Sequence, residues 1–364
     1  MLFRNLKTLG LALLIMLGVG LAASPAAFAQ ERGWQPQKTW VFIVGTLRWK
    51  HREVFTSFPQ RNRRDAQLVD FFRQQGVPAD QLVYLQDSQA TTRRVQSTFK
   101  DFLSRARPGD LLFFYYCGHG YKSDDQRTTY FATYDAGDDT PGWAAESVVR
   151  DVEKYFKGSR ALLTADSCYS GSLAEQAQRM GRRVSYAVLT SSSANELSTE
   201  NWTFTEMLLA GFNGRAFADI NDDRKITLGE IADGIRQDMR FAEEQGSAFV
   251  TTGEFSRDTT LAEARSKVNP EINRRVEVRS EGAWYKARII DVRSGRFRVH
   301  YYGWEDSDDE WVRRNQIRNA SAQSERAGTS WENEWAAIPV ETNRDSWLIH
   351  YVDDVWDGWT MREN

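Results

Sequence analysis

Only two of the 364 residues are Cys and four are His, and one of each stands where it could do covalent chemistry. Cys168 lies in LLTADSCYSGSL (162–173), where an apolar run breaks into small and polar residues. His119 lies in FFYYCGHG (113–120), between Gly118 and Gly120. A thiol becomes a strong nucleophile as its thiolate, and an imidazole beside it can take the proton and return it to a leaving group. Glycines around the histidine let the backbone approach a substrate closely. The other histidines are weaker candidates, since His51 precedes a charged segment and His300 and His350 fall in repeats near the C-terminus. The competing role for Cys168 is half of a disulfide with Cys117.

The elements that must position these residues are short apolar runs alternating with amphipathic segments. TWVFIVG (39–45), LVYLQD (82–87), DLLFFYY (110–116), ALLTA (161–165) and SYAVLTS (185–191) have the character of buried strands. Between them, 63–75, 92–106 and 146–156 place apolar residues at helical spacing. Strict alternation implies right-handed crossovers and an α/β fold, a mostly parallel sheet with helices on both faces. Such sheets carry their sites at the carboxyl ends of the strands, where His119 and Cys168 both fall.

His119 lies 49 positions before Cys168, close to the spacing of about 50 that links the catalytic pair of caspases. YYCGHG and DSCYSGS resemble the two catalytic motifs of caspase-like peptidases, most of all those of metacaspases and their bacterial relatives. The likeness extends over 34–264, since SYAVLTSSSANELSTE (185–200) and FTEMLLAGF (204–212) resemble the later strand and helix of that family. The resemblance implies that Cys168 attacks the scissile carbonyl and His119 protonates the leaving amine. The backbone N–H groups of Gly120 and Cys168 would form the oxyanion hole.

In metacaspases, acidic groups at the base of the first specificity pocket select Arg or Lys. By resemblance Asp166, two before the nucleophile, and Asp65, in RNRRDAQLVDFF, take that role. Cys117 departs from the pattern, since the matching position is usually a Ser lining the same pocket. It places a second thiol near the first. The expectation is a free catalytic thiol, with reversible Cys117–Cys168 oxidation as a redox switch.

DINDDRKITLGE (219–230) puts Asp219, Asn221, Asp223, Thr227 and Glu230 at positions one, three, five, nine and twelve of an EF-hand calcium loop. Arg224 stands at position six, where the loop should turn on Gly. Metacaspases often use calcium through acidic residues elsewhere, and Asp124, Asp125, Asp138 and Asp139 occupy a suitable loop. The chemistry itself requires no cofactor. QRMGRRVSY (178–186) offers Arg182 and Arg183 for self-cleavage, or is a solvated basic turn.

Beyond 265 the character changes. Eight of the 13 Trp residues lie past position 270, with alternating runs such as RVEVRS, YKARIIDV and RFRVHYY. These read as a small β-barrel over 270–318, and 331–364 as a second, shortened copy, after the polar linker ASAQSERAGTS (320–330). GAWYKARIIDV with FRVHYYGWEDSDDEWVRRNQI resembles chromo-barrel or Tudor-like SH3-type domains. Trp284, Tyr302, Trp304 and Trp311 could line an aromatic groove for a protein ligand, or could pack the barrel core.

Residues 1–29 read as a secretory signal peptide: Arg4 and Lys7, an apolar run from Leu9 to Leu21, then Ala27-Phe28-Ala29. Its removal takes away two positive charges, so the formal net charge of −3 becomes −5. No later segment is apolar enough to span a bilayer, so the mature chain is expected in the periplasm or outside the cell without a transmembrane segment. An acidic balance argues against a general nucleic-acid binder. The leading expectation is therefore a secreted cysteine endopeptidase acting on Arg- or Lys-containing proteins or peptides. The alternatives are legumain-like specificity on the same fold, or a silent scaffold that binds through its C-terminal barrels.

Overall fold

The computed structural model describes residues 35–265 and 269–319. The expected signal peptide and second barrel copy lie outside these residues. Five of the apolar runs form strands of one sheet: β1 (Thr39–Gly45), β2 (Leu82–Gln86), β3 (Leu111–Cys117), then β7 (Arg160–Asp166) and β8 (Ser185–Thr190). A small antiparallel sheet of β4 (Gly120–Lys122), β5 (Thr129–Phe131) and β6 (Trp143–Ala144) intervenes between β3 and β7. β9 (Lys225–Thr227) pairs with β11 (Thr260–Glu263), and β10 (Ala248–Thr251) adds an antiparallel edge to the main sheet. The main sheet runs β10-β8-β7-β3-β1-β2, and its five other strands are parallel.

β1 and β3 are buried at every position, because helices cover both faces. α1 (Arg64–Gln74), α5 (Thr203–Phe212) and α6 (Leu228–Asp238) bury Phe72, Met207 and Ile231 against Val41, Phe113 and Tyr115. α2 (Thr92–Arg105), α3 (Ala145–Tyr155) and α4 (Ser172–Met180) bury Phe99, Val149 and Leu173 against Phe42, Phe114 and Tyr116. Alternate residues of each strand feed the two cores, as a period of two requires. Phe99 meets Phe42 and Trp143 edge-to-face, with centroids 4.8 and 5.1 Å apart. Such pairs add about 0.5–1.5 kcal/mol beyond area burial.

The C-terminal strands β12 (Arg275–Ser280), β13 (Ala283–Arg293), β14 (Arg296–Tyr301), β15 (Glu310–Arg313) and β16 (Ile317–Asn319) form a curled antiparallel sheet, ordered β15-β14-β13-β12-β16. Val276, Ile289, Val299 and Val312 fill its core.

This small domain is docked on α5 and α6 through buried charge. Asp238, at the end of α6 and fully buried, accepts from Arg275 Nε at 2.8 Å, Tyr302 Oη at 2.8 Å and Arg288. Arg64 at the start of α1 binds Glu206 on α5 at 2.7 Å and Asp306 after β14 at 2.9 Å. His300 lies between Asp309, 2.8 Å from Nδ1, and Glu206, 3.2 Å from Nε2. Burial alone would lower the His300 pKa, but these two carboxylates raise it to about 9. Among the described residues, no helix is long and apolar enough to cross a membrane.

Candidate active site

The parallel register aligns three strand ends: Gly45 pairs with Cys117, and Cys117 with Asp166. From this edge the β3 chain continues through Gly118 into His119, and the β7 chain through Ser167 into Cys168. Gly118 has φ +142°, and a Cβ there would meet the Thr46 carbonyl oxygen at 2.6 Å. A Cβ on Gly120 would lie 2.1 Å from the Cys168 carbonyl oxygen. The two glycines around His119 thus reflect close approach, and the second brings the His turn against the Cys turn. Tyr169, directly after the thiol, takes φ +56°, a left-handed conformation that turns the chain sharply after Cys168. Its amide donates to the Glu196 carbonyl at 2.8 Å, which holds the turn.

His119 is buried among aromatic rings, with the Phe58 and Trp49 centroids 4.4 and 4.6 Å away. Its Nε2 is 2.9 Å from the Thr56 carbonyl oxygen. A carbonyl only accepts, so Nε2 carries the hydrogen and Nδ1 is the basic nitrogen of the neutral ring. Burial lowers the His119 pKa to about 4 despite that hydrogen bond, so the imidazole is neutral at pH 7. Cys168 is buried too: the Ser198 amide donates to Sγ at 3.1 Å, and the Ser198 carbonyl oxygen is 3.5 Å from Sγ. The 193–200 segment therefore covers the thiol.

Cys117 and Cys168 are not joined to each other in a disulfide. Cys117 sits in the core on the α1/α5 side of the sheet, where burial pushes its thiol well above the ordinary range. Asp166 accepts from Thr205 Oγ1 at 2.5 Å, and burial raises its carboxyl to about 7. Among the described residues, no Lys, Arg or His forms an ion pair with it. Asp65 is fully buried over Gly45, where it takes Arg63 at 2.7 Å and Tyr84 Oη at 2.8 Å. Arg63 was missed in the sequence reading, although it stands two residues before Asp65 in RNRRD. Ser198 and Thr205 carried no signal, because their roles arise from loop and helix packing.

The calcium expectation does not find a converged ligand set. Asp219 accepts from the Asp223 and Arg224 amides, and Glu230 from the Ile220, Asn221 and Thr227 amides. Glu230 also closes a capping box with Thr227 at the start of α6. Arg224 adopts φ +70° at the position where a Gly was expected. Among the described residues, the group of three acidic or His side chains whose ligand atoms lie within 4.8 Å of one another is Glu206, His300 and Asp306. Arg64 already supplies a cation there. Asp124, Asp125, Asp138 and Asp139 are exposed and form no such group.

The four aromatics of the expected groove are likewise not brought together. Tyr302 faces the interdomain contact, bonded to Asp238 and edge-on to Phe241. Trp284 lies under Arg318, and Trp311 under Arg293. Trp304 instead packs on Tyr285 and Tyr301, with centroids 5.5 and 5.8 Å away. Arg182 and Arg183 are both exposed, but the Arg183 guanidinium is tied to the Val152 and Glu153 carbonyls.

Residues 73–177 match the family described as Metacaspase, peptidase C14 domain, and residues 273–321 match the Agenet domain, which is Tudor-like. Over 125 residues the chain is 30% identical to Metacaspase-1 of Lodderomyces elongisporus and 29% identical to Metacaspase-1 of Candida albicans. Each alignment covers 29% of this chain, and the chain spans 28% of the length of each relative. Caspase-1 from Spodoptera frugiperda aligns with a TM-score of 0.41 and 11% identity, covering 65% of this chain and 94% of that one. Residues 73–177 are thus similar to a metacaspase-type peptidase C14 domain, and residues 273–321 to an Agenet domain.

Proposed function

We propose that this protein is an exported cysteine endopeptidase that hydrolyses bonds after Arg or Lys, with Cys168 as nucleophile and His119 as its acid–base partner. The observation that supports it most is the backbone contact between Gly120 and Cys168, which joins the two motifs at adjacent strand ends. In this reading Nδ1 of His119 takes the Sγ proton and the thiolate attacks the substrate carbonyl. The amides of Gly120 and Cys168 receive the oxyanion, and the imidazolium returns its proton to the leaving amine. Water then releases the acyl group from sulfur. The Thr56 carbonyl, in place of an acid, orients the imidazole. Asp166 receives the basic side chain.

The covered thiol favours a second statement about the same enzyme: this arrangement is a latent state. Peptide access to Sγ requires the 193–200 segment to move so that Ser198 leaves the thiol. Cleavage after Arg182, the less restrained of the two loop arginines, is the self-processing event proposed, since it would release the connection between α4 and β8. The Agenet domain is proposed to hold a protein ligand through its exposed Trp304 face. Incubating the protein with and without an Arg182→Gln change, beside Cys168→Ala, tests both points. Processing in wild type alone supports them; identical fragments from Cys168→Ala contradict the assigned nucleophile.

A further inference from the structure

Two buried carboxylates meet the row of strand ends that precedes Cys168, Asp65 from α1 over Gly45 and Asp166 at the end of β7, and their surroundings differ. Asp65 is engaged at both oxygens: Arg63 Nε reaches Oδ1 at 3.1 Å, Arg63 Nη2 reaches Oδ2 at 2.7 Å, and Tyr84 Oη reaches Oδ2 at 2.8 Å. The same guanidinium binds Asp87 at 2.7 Å, the Gly45 carbonyl at 2.8 Å and Gln60 at 3.1 Å. Its side chain is 8% exposed. A bidentate pair with further partners on three sides is costly to displace, because a buried charge would lose its counter-ion. Asp166, two strands from Gly45 in the same row, is bound by the Thr205 and Ser191 hydroxyls and, among the described residues, by no cation.

We propose that Arg63 is a specificity-determining residue: it satisfies Asp65 from within the chain, so that a substrate's basic side chain is received by Asp166 alone. This rests on the peptidase reading above. The site then offers a substrate one carboxylate and not two, and a second positive group has no partner there. Burial that favours the protonated Asp166 carboxyl also makes capture of a cation steeper at higher pH.

The test compares kcat/KM for peptides ending in Arg and in its neutral isostere citrulline. Wild type is set beside Asp166→Asn and beside Arg63→Gln combined with Asp65→Asn, which removes the ion pair without leaving a buried charge. The ratio should stay within about threefold of wild type in the double variant and fall at least about tenfold in Asp166→Asn. Arg63→Gln alone, if it folds, should raise the ratio by exposing a second carboxylate. A double variant that loses selectivity as far as Asp166→Asn would overturn the proposal, because substrate would then be reaching Asp65. Absence of Cys168-dependent hydrolysis in wild type would instead strike the peptidase reading. The pocket is then read by calorimetric titration of agmatine into the same variants made in Cys168→Ala protein. Binding kept in the double variant and lost in Asp166→Asn supports the proposal; the reverse, or no binding to any of them, overturns it.

Discussion

Gly120 and Cys168 touch backbone to backbone: a Cβ on the glycine would fall 2.1 Å from the cysteine carbonyl oxygen. No side chain fits there without separating the β3 and β7 turns. Gly120→Ala should therefore lower kcat/KM by about 100-fold or more, the scale of losing an oxyanion donor. The sheet core should survive, so far-UV circular dichroism should keep its native shape while peptide hydrolysis falls.

Asp166 should cost stability as a buried carboxylate without a counter-ion among the described residues. Burial raises its carboxyl to about 7, above the ordinary 3.8. The folded chain then holds a proton that the unfolded chain releases, so this group's contribution falls as pH rises from about 4 through 7. Asp166→Asn should be more stable than wild type at pH 8, by about 2–4 kcal/mol, with the gap closing near pH 4. Thermal melts at both pH values check it.

His300 titrates in the opposite sense. Its pKa is raised to about 9 between Asp309 and Glu206, so its stabilisation is complete below the unfolded value near 6.5 and is lost as pH rises through 9. His300→Gln should weaken the protein by about 1–3 kcal/mol near pH 6.5 and by progressively less above pH 9. Urea unfolding across that range would expose the difference.

Asp238 carries the docking of the Agenet domain. Asp238→Ala leaves Arg275 and Arg288 without their buried counter-charge, a loss of about 3–5 kcal/mol. Limited proteolysis should then cut within the C-terminal sheet of β12 to β16 far faster than in wild type. Equal protection would mean that apolar contacts alone hold the two domains.

The α/β framework was legible because buried parallel strands are continuous apolar runs: 39–45 and 185–191 end within one residue of β1 and β8. The β4–β6 sheet was not, since pieces of two or three residues carry no period. The juxtaposition of the His119 and Cys168 turns was legible because the chain has few of either residue type and glycines mark the close approach. The partners of Asp65 and Asp166 were not: Tyr84 and Thr205 meet them through packing across the fold, and nothing in RNRRD sets Arg63 apart from its neighbouring arginines. The placement of the aromatic residues was not legible for a related reason: a Trp- and Tyr-rich sequence does not reveal that Tyr302 bonds to Asp238. The EF-hand spacing is present, but Glu230 is used to cap α6.

The most direct measurement is hydrolysis of fluorogenic peptides ending in Arg, Lys, Asn or Asp by the reduced protein, beside Cys168→Ala. Cleavage after Arg and Lys that vanishes in the variant is the expected result. Cleavage after Asn or Asp alone, or activity that survives the loss of the thiol, would contradict the assignment of Cys168 and its acidic pocket.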